Sequence, residues 1–477
     1  MHVTSVIKIK SIILILLSFL FISNVYGLTL KISSVADPYA SVFRLHEEAI
    51  SKLGIDMVFD NNPPQDTYSK NMLDFAAGTS TYDIVLFMPA WLADYSRHLE
   101  PIENLSSKYG LDFKLDDIVR TYRDVYIRWN GVDIAVPFDG DQHILFYNKK
   151  AFSSQINKNA FKKEYGYELA PPDTWDEYRA MAKFFNGRDW DGDGKTEYGV
   201  AEAWQRGGYA FWWWATKFLG NGGVWFDEDM NPLINGPSGI KALENTLAIK
   251  PYTPPGTANF GYPELEATFL NGEVPMVIQW ASTGKSAKDP NVSNIVNDVG
   301  ATLVPGSRDK YGSIYRRPGL PTGWIAGIPK YSKNKEAAAR VLDIISTPEA
   351  SLQAAMLSTT YVDPWRKSSY YSDEWSNLWP NDPVYSKDYA AALRTTAETG
   401  FPDLQVPGTY EYWNSLDREI SEAIAGNKTA EEALDEAAKE WNKITKRLGF
   451  AKQKKAWNLQ YNALKSLGIK YRPELAR

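Results

Sequence analysis

Residues 135–152, AVPFDGDQHILFYNKKAF, indicate how the chain is divided. A short apolar run ends at Pro137, which cannot donate to a central ladder, so we expect a strand to stop there. Residues 138–141 have turn chemistry, because Gly permits unusual backbone angles and Asp side chains bond their own backbone. Residues 144–147 are typical of a second buried strand. An acidic elbow between two buried strands predicts a crossing between lobes, although an ordinary surface turn has the same composition.

Composition narrows the class of protein. A chain of 477 residues suits two domains or one large one, and a net charge of −6 argues against a general nucleic-acid-binding surface. There is no cysteine, which excludes disulfides, a thiolate zinc site and a thiol nucleophile. Aromatic residues make up 14% of the chain, with 17 Trp and 28 Tyr, more than core packing alone requires. Aromatic faces also bind flat, weakly polar ligands.

The first 27 residues have the pattern of a secretory signal. Lys8 and Lys10 form a basic region, and the apolar run at residues 12–22 is too short to span a bilayer. Val25 and Gly27 stand at the two positions that a signal peptidase reads, so we expect cleavage after Gly27 and a periplasmic protein. An uncleaved membrane anchor is the alternative. With no cysteine after the apolar run, we expect no lipid anchor.

Strand and helix patterns alternate after this segment. Strands are predicted at residues 28–33, 55–59 and 82–88, with helices at 41–53 and 69–77 between them. This order is typical of βαβ units in an α/β fold with a parallel sheet, whose ligands bind at the carboxyl ends of the strands. The candidate ligand-binding residues at those ends are Asp37, Tyr39 and Trp91.

Residues 204–218, WQRGGYAFWWWATKF, form a dense aromatic segment. We expect residues 212–214 to lie in a buried helix. Trp204 and Gln205 precede the Gly207-Gly208 break and therefore fall on its loop side. These two side chains are the better candidates for ligand contact.

Four motifs in a fixed order carry a family resemblance: PFDGDQHILFYNKKAF, PPDTWDEYRAMAKFF, FLNGEVPMVIQW and TGWIAGIPKYSKNKEAAARVLDIIS. The chain resembles the extracellular solute-binding proteins of carbohydrate ABC importers (family 1), the group that includes maltose-binding protein. The likeness covers most of residues 28–445. It implies a class II periplasmic-binding-protein fold, with two α/β lobes that close on a sugar or polyol. It also implies delivery to a membrane ABC permease, without enzymatic activity, and we expect a monomer that binds no nucleic acid.

The resemblance also implies a division of the chain. Crossings between lobes are expected near residues 138–141, 279–282 and 325–328. Lobe one would comprise residues 28–138 and 281–326, and lobe two residues 139–280 and 327–445. The basic extension, residues 446–477, is not covered by the resemblance, and we expect a solvated amphipathic helix on the surface.

A sugar offers C–H faces that a Trp ring covers, and hydroxyls that carboxylates and amides bind. By resemblance, Trp413 takes the place of a Trp that stacks on sugar in this family. Any single Trp could equally be plain packing. The predicted ligand-binding residues are Asp37, Tyr39, Trp91, Asp139, Asp141, Trp204, Gln205, Trp280, Trp324 and Trp413.

An acidic loop is a second candidate site. Its acids stand at positions 1, 3, 5 and 9 of a calcium loop with Gly at position 6, a spacing whose oxygens converge on one hard cation. Position 12, a bidentate Glu in an EF-hand, is Val200 here. The pattern predicts a structural Ca²⁺, and an acidic turn without metal is the alternative. The predicted ligands are Asp189, Asp191, Asp193, Glu197 and the carbonyl of Lys195.

Two other functions fit the same residue types. A secreted glycoside hydrolase needs two carboxylates about 5–10 Å apart, and Asp139 with Asp141 could be such a pair. A binding protein for a cationic solute such as a polyamine would use Asp37 with those two acids, together with a Trp box. The ordered motifs favour the sugar-binding protein over both.

Overall fold

Two sheets organise the described part of the chain. The computed structural model describes residues 27–35, 37–320 and 323–476, so residues 1–26 of the predicted leader (residues 1–27) lie outside the described residues. The backbone of Asp37, Pro38 and Leu320 is described, but their side chains are not. The strands of the two larger sheets are β1 (Leu28–Ser34), β2 (Ile55–Asn61), β3 (Ile84–Phe87), β4 (Val136–Asp139), β5 (His143–Asn148), β6 (Met276–Trp280), β7 (Val299–Thr302) and β8 (Trp324–Gly327).

The larger sheet has the order β2-β1-β3-β8-β4 among the described residues. β1 runs parallel to β2 and β3, as predicted, whereas β8 is antiparallel to β3 and β4. The sheet is therefore mixed. Contrary to the prediction, the strand at Pro137 does not stop there, because β4 is an edge strand and a proline is tolerated where no ladder donor is needed.

The smaller sheet is built around β5, which is antiparallel to both β6 and β7. Every residue of β6 is buried, because helices pack on the sheet. The chain leaves the larger sheet at β4 and enters the smaller one at β5, so residues 140–142 connect the two lobes.

The division into lobes differs from the prediction at two places. Residues 281–302 stay in lobe two, because β7 pairs with β5 and not with the larger sheet. The chain returns to lobe one between β7 and β8, and Lys335–Ile345 packs there against Ile102–Tyr109, so the assignment of residue 327 onward to lobe two is also corrected. The chain is back in lobe two at the helix Pro383–Thr399, because this helix packs on β7.

Helices cover both sheets, and two of them begin with capping boxes, Thr174 with Glu177 and Thr429 with Glu432. No helix in the described ranges combines the length and apolarity needed to cross a membrane. The α-helices are Asp37–Leu45, Glu47–Ser51, Pro64–Ala77, Leu92–Tyr95, Ile102–Tyr109, Lys149–Ser153, Gln155–Tyr165, Trp175–Phe185, Tyr209–Gly220, Pro237–Ile249, Tyr262–Leu270, Thr283–Ser286, Lys335–Ile345, Pro348–Met356, Lys367–Tyr370, Glu374–Asn377, Pro383–Thr399, Thr409–Ala425, Ala430–Leu448 and Phe450–Ser466.

Candidate functional site

A cleft of about 630 Å³ lies between the two lobes. Both sheets contribute to its walls, since Trp324 begins β8 of lobe one and Trp280 ends β6 of lobe two. Aromatic side chains are prominent in its walls, with nine among the lining residues. The aromatic lining residues are Tyr39, Tyr209, Trp212, Tyr262, Trp280, Trp324, Tyr361, Tyr410 and Trp413.

Two helices contribute much of the lobe-two wall: the aromatic helix (Tyr209–Gly220) and the cleft helix (Thr409–Ala425). Trp212 and Trp413 meet edge to face between them, with ring centroids 5.8 Å apart. Trp213 and Trp214 are buried as predicted, but Trp212 is half-buried and lines the cleft, which corrects its assignment to the core. The aromatic helix is apolar on every side, so its periodicity does not mark the cleft-facing residue.

Trp280 lines the cleft at the end of β6, with His143 behind it in the core. The two rings are 5.0 Å apart and nearly perpendicular. Burial, followed by the charge of Lys217, lowers the pKa of His143 to about 3, so the imidazole is neutral at physiological pH. Its Nδ1 lies 2.8 Å from the hydroxyl of Thr216 on the aromatic helix. A neutral, hydrogen-bonded ring thus supports Trp280 without placing a charge beneath it.

On the lobe-one side, Tyr39 and Trp324 pack with ring centroids 4.5 Å apart. Burial, followed by the charges of Asp141 and Asp139, raises the pKa of Tyr39 well above its ordinary value, so the phenol stays protonated. Asp141 lines the cleft beside them, and its Oδ2 accepts the N–H of Gly323 at 3.1 Å. A hydroxyl donor and a carboxylate acceptor therefore stand together at this wall.

Asp139 is not on the cleft wall. Its side chain is fully buried, and its Oδ1 accepts the backbone N–H of Asp363 at 2.8 Å. Burial, followed by the charges of Asp141 and Asp363, raises its pKa well above the usual range. Asp139 therefore ties the connection between lobes to the segment that returns to lobe two.

Three further predicted residues lie away from the lining. Trp91 is buried behind Tyr410, with ring centroids 6.3 Å apart. Trp204 is buried, and its indole N–H donates to the carboxylate of Glu202, which also pairs with the ammonium of Lys217 at 2.6 Å. Gln205 is exposed and does not line the cleft.

Of the predicted set, Tyr39, Asp141, Trp280, Trp324 and Trp413 line the cleft, and the side chain of Asp37 lies outside what is described. Several other lining residues were not predicted, although the sequence carries a usable signal for them. Tyr410 stands three positions before Trp413, a spacing that places both on one face of a helix. The carboxyl end of β2 was overlooked, although the same rule selected the ends of β1 and β3. The missed residues there are Asn61, Asn62, Pro63 and Pro64.

Three helix N-termini at the cleft are already bonded to carboxylates of the protein. Asp417, on the cleft helix, accepts the N–H of Gly207 at 2.9 Å and that of Phe211 at 3.1 Å, and so caps the aromatic helix. Asp94 of lobe one accepts the N–H of Gly408, which precedes the cleft helix, at 2.9 Å. At a third helix, Tyr262–Leu270, Glu264 accepts the N–H of Gly261 at 2.9 Å. The positive ends of these helices are therefore neutralised within the protein.

The acidic loop lies apart from the cleft lining. Carboxylate oxygens of Asp189, Asp191, Asp193 and Glu197 all lie within 4.8 Å of one another. Burial, followed by the charge of Asp191, raises the pKa of Glu197 to about 7. Its Oε2 is a buried atom without a hydrogen-bond partner in the described part of the chain. Lys195, in contrast, directs its ammonium to Asp193 at 2.9 Å.

Comparison with solved structures shows the fold. The chain is similar to maltose-bound MalE3 of T. maritima, with a TM-score of 0.72, 21% identity, and coverage of 87% of this chain and 100% of the other. It is also similar to an ABC transporter solute-binding protein of Agrobacterium radiobacter K84 in complex with ribitol, with a TM-score of 0.72, 23% identity, and coverage of 88% and 99%. The fold is the two-lobed α/β fold of these binding proteins.

Sequence comparisons identify the family. A curated relative in Sinorhizobium fredii, named a probable amino-acid ABC transporter periplasmic-binding protein, is 21% identical over 427 residues, which are 88% of this chain and 90% of that protein. The family model described as bacterial extracellular solute-binding protein matches residues 48–351, more than half of the chain. This chain belongs to the bacterial extracellular solute-binding protein family.

Proposed function

We propose that the chain binds an uncharged saccharide or polyol in the cleft and delivers it to the permease of an ABC transporter. The observation that carries the proposal is the lining itself. It combines nine aromatic side chains with Asp141, and among the described lining residues there is no Lys, Arg or His. Maltose and ribitol in the two structural relatives are ligands of this kind.

The walls match the chemistry of a sugar. A Trp face buries about 150–250 Å², worth a few kcal/mol at roughly 25 cal/mol/Å² before ordering costs. Trp212 and Trp413 both line the cleft, where their rings can cover the C–H face of a sugar. Asp141 can accept hydrogen bonds from ligand hydroxyls, and bonds to a charged acceptor are the stronger ones.

The lining favours an uncharged ligand over an amino acid, the ligand suggested by the printed name of the Sinorhizobium relative. A ligand carboxylate needs a cation or a free helix N-terminus, because an unpaired buried charge is costly. The described lining offers no cationic side chain, and Asp417, Asp94 and Glu264 already accept N–H groups at three of the nearby helix N-termini. The helix Pro64–Ala77 also begins at the cleft and has no side-chain cap, so a ligand carboxylate would have that N-terminus alone.

The lining also supports binding without catalysis. A glycoside hydrolase needs two carboxylates that both face the bond. Asp139, the second acid of the candidate pair, instead bonds the backbone of Asp363 inside the protein. A polyamine remains the second candidate ligand, since Asp141 beside aromatic faces suits a cation. We further propose that the protein acts as a monomer in the periplasm, exported by the leader that residues 1–27 predict.

For the acidic loop we propose a structural Ca²⁺ held by Asp189, Asp191, Asp193 and Glu197. Four carboxylates within 4.8 Å repel one another unless a cation or protons neutralise them. The raised pKa of Glu197 and its unpartnered buried oxygen support this proposal. The predicted carbonyl of Lys195 would complete the ligand set.

A thermal-shift screen tests the proposed function. Neutral mono- and oligosaccharides, polyols, amino acids and polyamines are compared at equal concentration, because a ligand that binds only the folded state raises its melting temperature. We expect shifts confined to sugars or polyols. Shifts with amino acids or polyamines alone would overturn the proposal.

A further inference from the structure

The basic C-terminal extension contains a helix that packs against the rest of the protein through partly polar contacts. The C-terminal helix (Phe450–Ser466) buries one face, which includes two polar side chains two turns apart, Gln453 and Gln460. Gln453 is fully buried and Gln460 is 4% exposed. The predicted solvated helix therefore has a polar, buried contact face.

Both glutamines bond the backbone of one segment, residues 403–407. Gln460 donates from Nε2 to the carbonyl of Asp403 at 2.6 Å and accepts the N–H of Gln405 at Oε1, 2.9 Å away. Gln453 donates from Nε2 to the carbonyl of Pro407 at 2.8 Å. The two side chains thus supply three hydrogen bonds to main-chain groups.

Residues 403–405 are buried but belong to no helix or strand. Buried backbone groups in such a segment need partners, because an unpaired N–H or C=O group buried away from water destabilises the fold. Here the partners come from the C-terminal helix and not from a sheet.

The same segment leads directly into the cleft helix. The hydroxyl of Thr409 accepts the N–H of Val406 at 2.9 Å, and Gly408 follows in a left-handed conformation with φ 73°. The N–H of Gly408 then donates to Asp94 of lobe one. Tyr410, which lines the cleft, is two residues further on.

We infer that Gln453 and Gln460 are positioning residues for the ligand cleft. By holding the backbone of residues 403–407, they fix the start of the cleft helix, and with it the rings of Tyr410 and Trp413. The inference about ligand affinity depends on the proposed function, whereas the inference about the backbone does not.

Hydrogen exchange of the full chain without ligand tests the backbone inference, using Gln453→Ala and Gln460→Ala. We expect residues 404–416 to exchange about tenfold faster or more in either variant, since lost bonds raise local opening. Trp457→Phe is the matched control, because the indole of Trp457 on the same helix bonds the carbonyl of Asp227 at 2.8 Å instead. It should raise exchange near residue 227 and leave residues 404–416 unchanged. Equal effects of all three variants on residues 404–416 would overturn the inference.

Affinity provides the second readout, with maltose and ribitol as probes. We expect both Gln variants to weaken binding of whichever probe binds wild type by about fivefold or more, while Trp457→Phe does not. Wild-type affinity in the Gln variants, despite faster exchange, would overturn the link to the cleft. If neither probe binds wild type, the exchange result still decides the backbone inference and the proposed function alone is weakened.

Discussion

The indole rings of Trp212 and Trp413 meet at 78° with centroids 5.8 Å apart, each from a different helix of lobe two. Edge-to-face contact leaves one ring face of such a pair available to a ligand. Asp417 stands one turn beyond Trp413 and caps the helix of Trp212, so one short stretch of the cleft helix sets the ring geometry and its support.

Removing either ring should weaken ligand binding. We expect Trp413→Ala to cost roughly 2–4 kcal/mol of binding free energy, as loss of an aromatic anchor does. The melting temperature should also fall, because Trp413 is only 4% exposed and packs on Phe211. Trp413→Phe, which keeps a ring face but loses the N–H, should bind better than the Ala variant. Calorimetry on folded variants checks this, and normal affinity in Trp413→Ala would remove the residue from the site.

Some of the cleft-lining residues could be predicted from the sequence and others could not. Trp280, Trp324 and Trp413 follow apolar strands or fall in recognisable motifs, so they could be placed at the cleft. Trp212 could not, because a helix that is apolar on every side gives no direction. Asp139 and Asp141 looked equivalent, but the strand ends at Asp139 and the turn then aims the two side chains differently.

The lobe boundaries were harder to predict because they depend on pairing between distant residues. β7 joins β5 across about 150 residues of chain, and nothing local to residues 299–302 distinguishes the two sheets. Local signals are in contrast sufficient to place a helix start, as the two capping boxes at Thr174 and Thr429 do.

The contact between Asp94 and Gly408 should favour approach of the two lobes at the cleft. Asp94→Ala leaves the N–H of Gly408 without its carboxylate and removes the partner of the Tyr68 hydroxyl, 3.0 Å away. Since a ligand shifts an open–closed equilibrium only by its differential affinity, a more open ground state weakens binding. We expect a larger radius of gyration by solution scattering and several-fold weaker affinity. Glu103→Ala, an exposed acid of the same lobe, is the control, and equal behaviour of the two variants would contradict the prediction.

Calcium should affect stability in a pH-dependent way. The usual pKa of Glu197 is 4.5, and its folded value is about 7 without metal, so ionising it destabilises the calcium-free fold. In chelator, the contribution of protonated Glu197 to the free energy of unfolding is fully present below pH 4.5. It is lost as the pH rises through about 7. Calcium should therefore raise the melting temperature most at pH 8 and least at pH 5.

Two variants check the calcium prediction. Asp191→Ala should remove the response to chelator and leave sugar affinity within a few-fold, because the loop is apart from the cleft. Glu197→Gln should flatten the pH dependence measured in chelator. A melting temperature insensitive to chelator at both pH values would contradict the site.

Direct titration of ligands into wild-type protein tests the central claim, that the cleft selects an uncharged sugar or polyol. Maltose, ribitol, glutamate and spermidine are titrated by calorimetry at low and high salt. We predict that a saccharide or polyol binds with an affinity that salt leaves unchanged, because its contacts are with aromatic faces and hydroxyls. Tight binding of glutamate or spermidine, weakened by salt, with no heat from either sugar or polyol, would contradict the account.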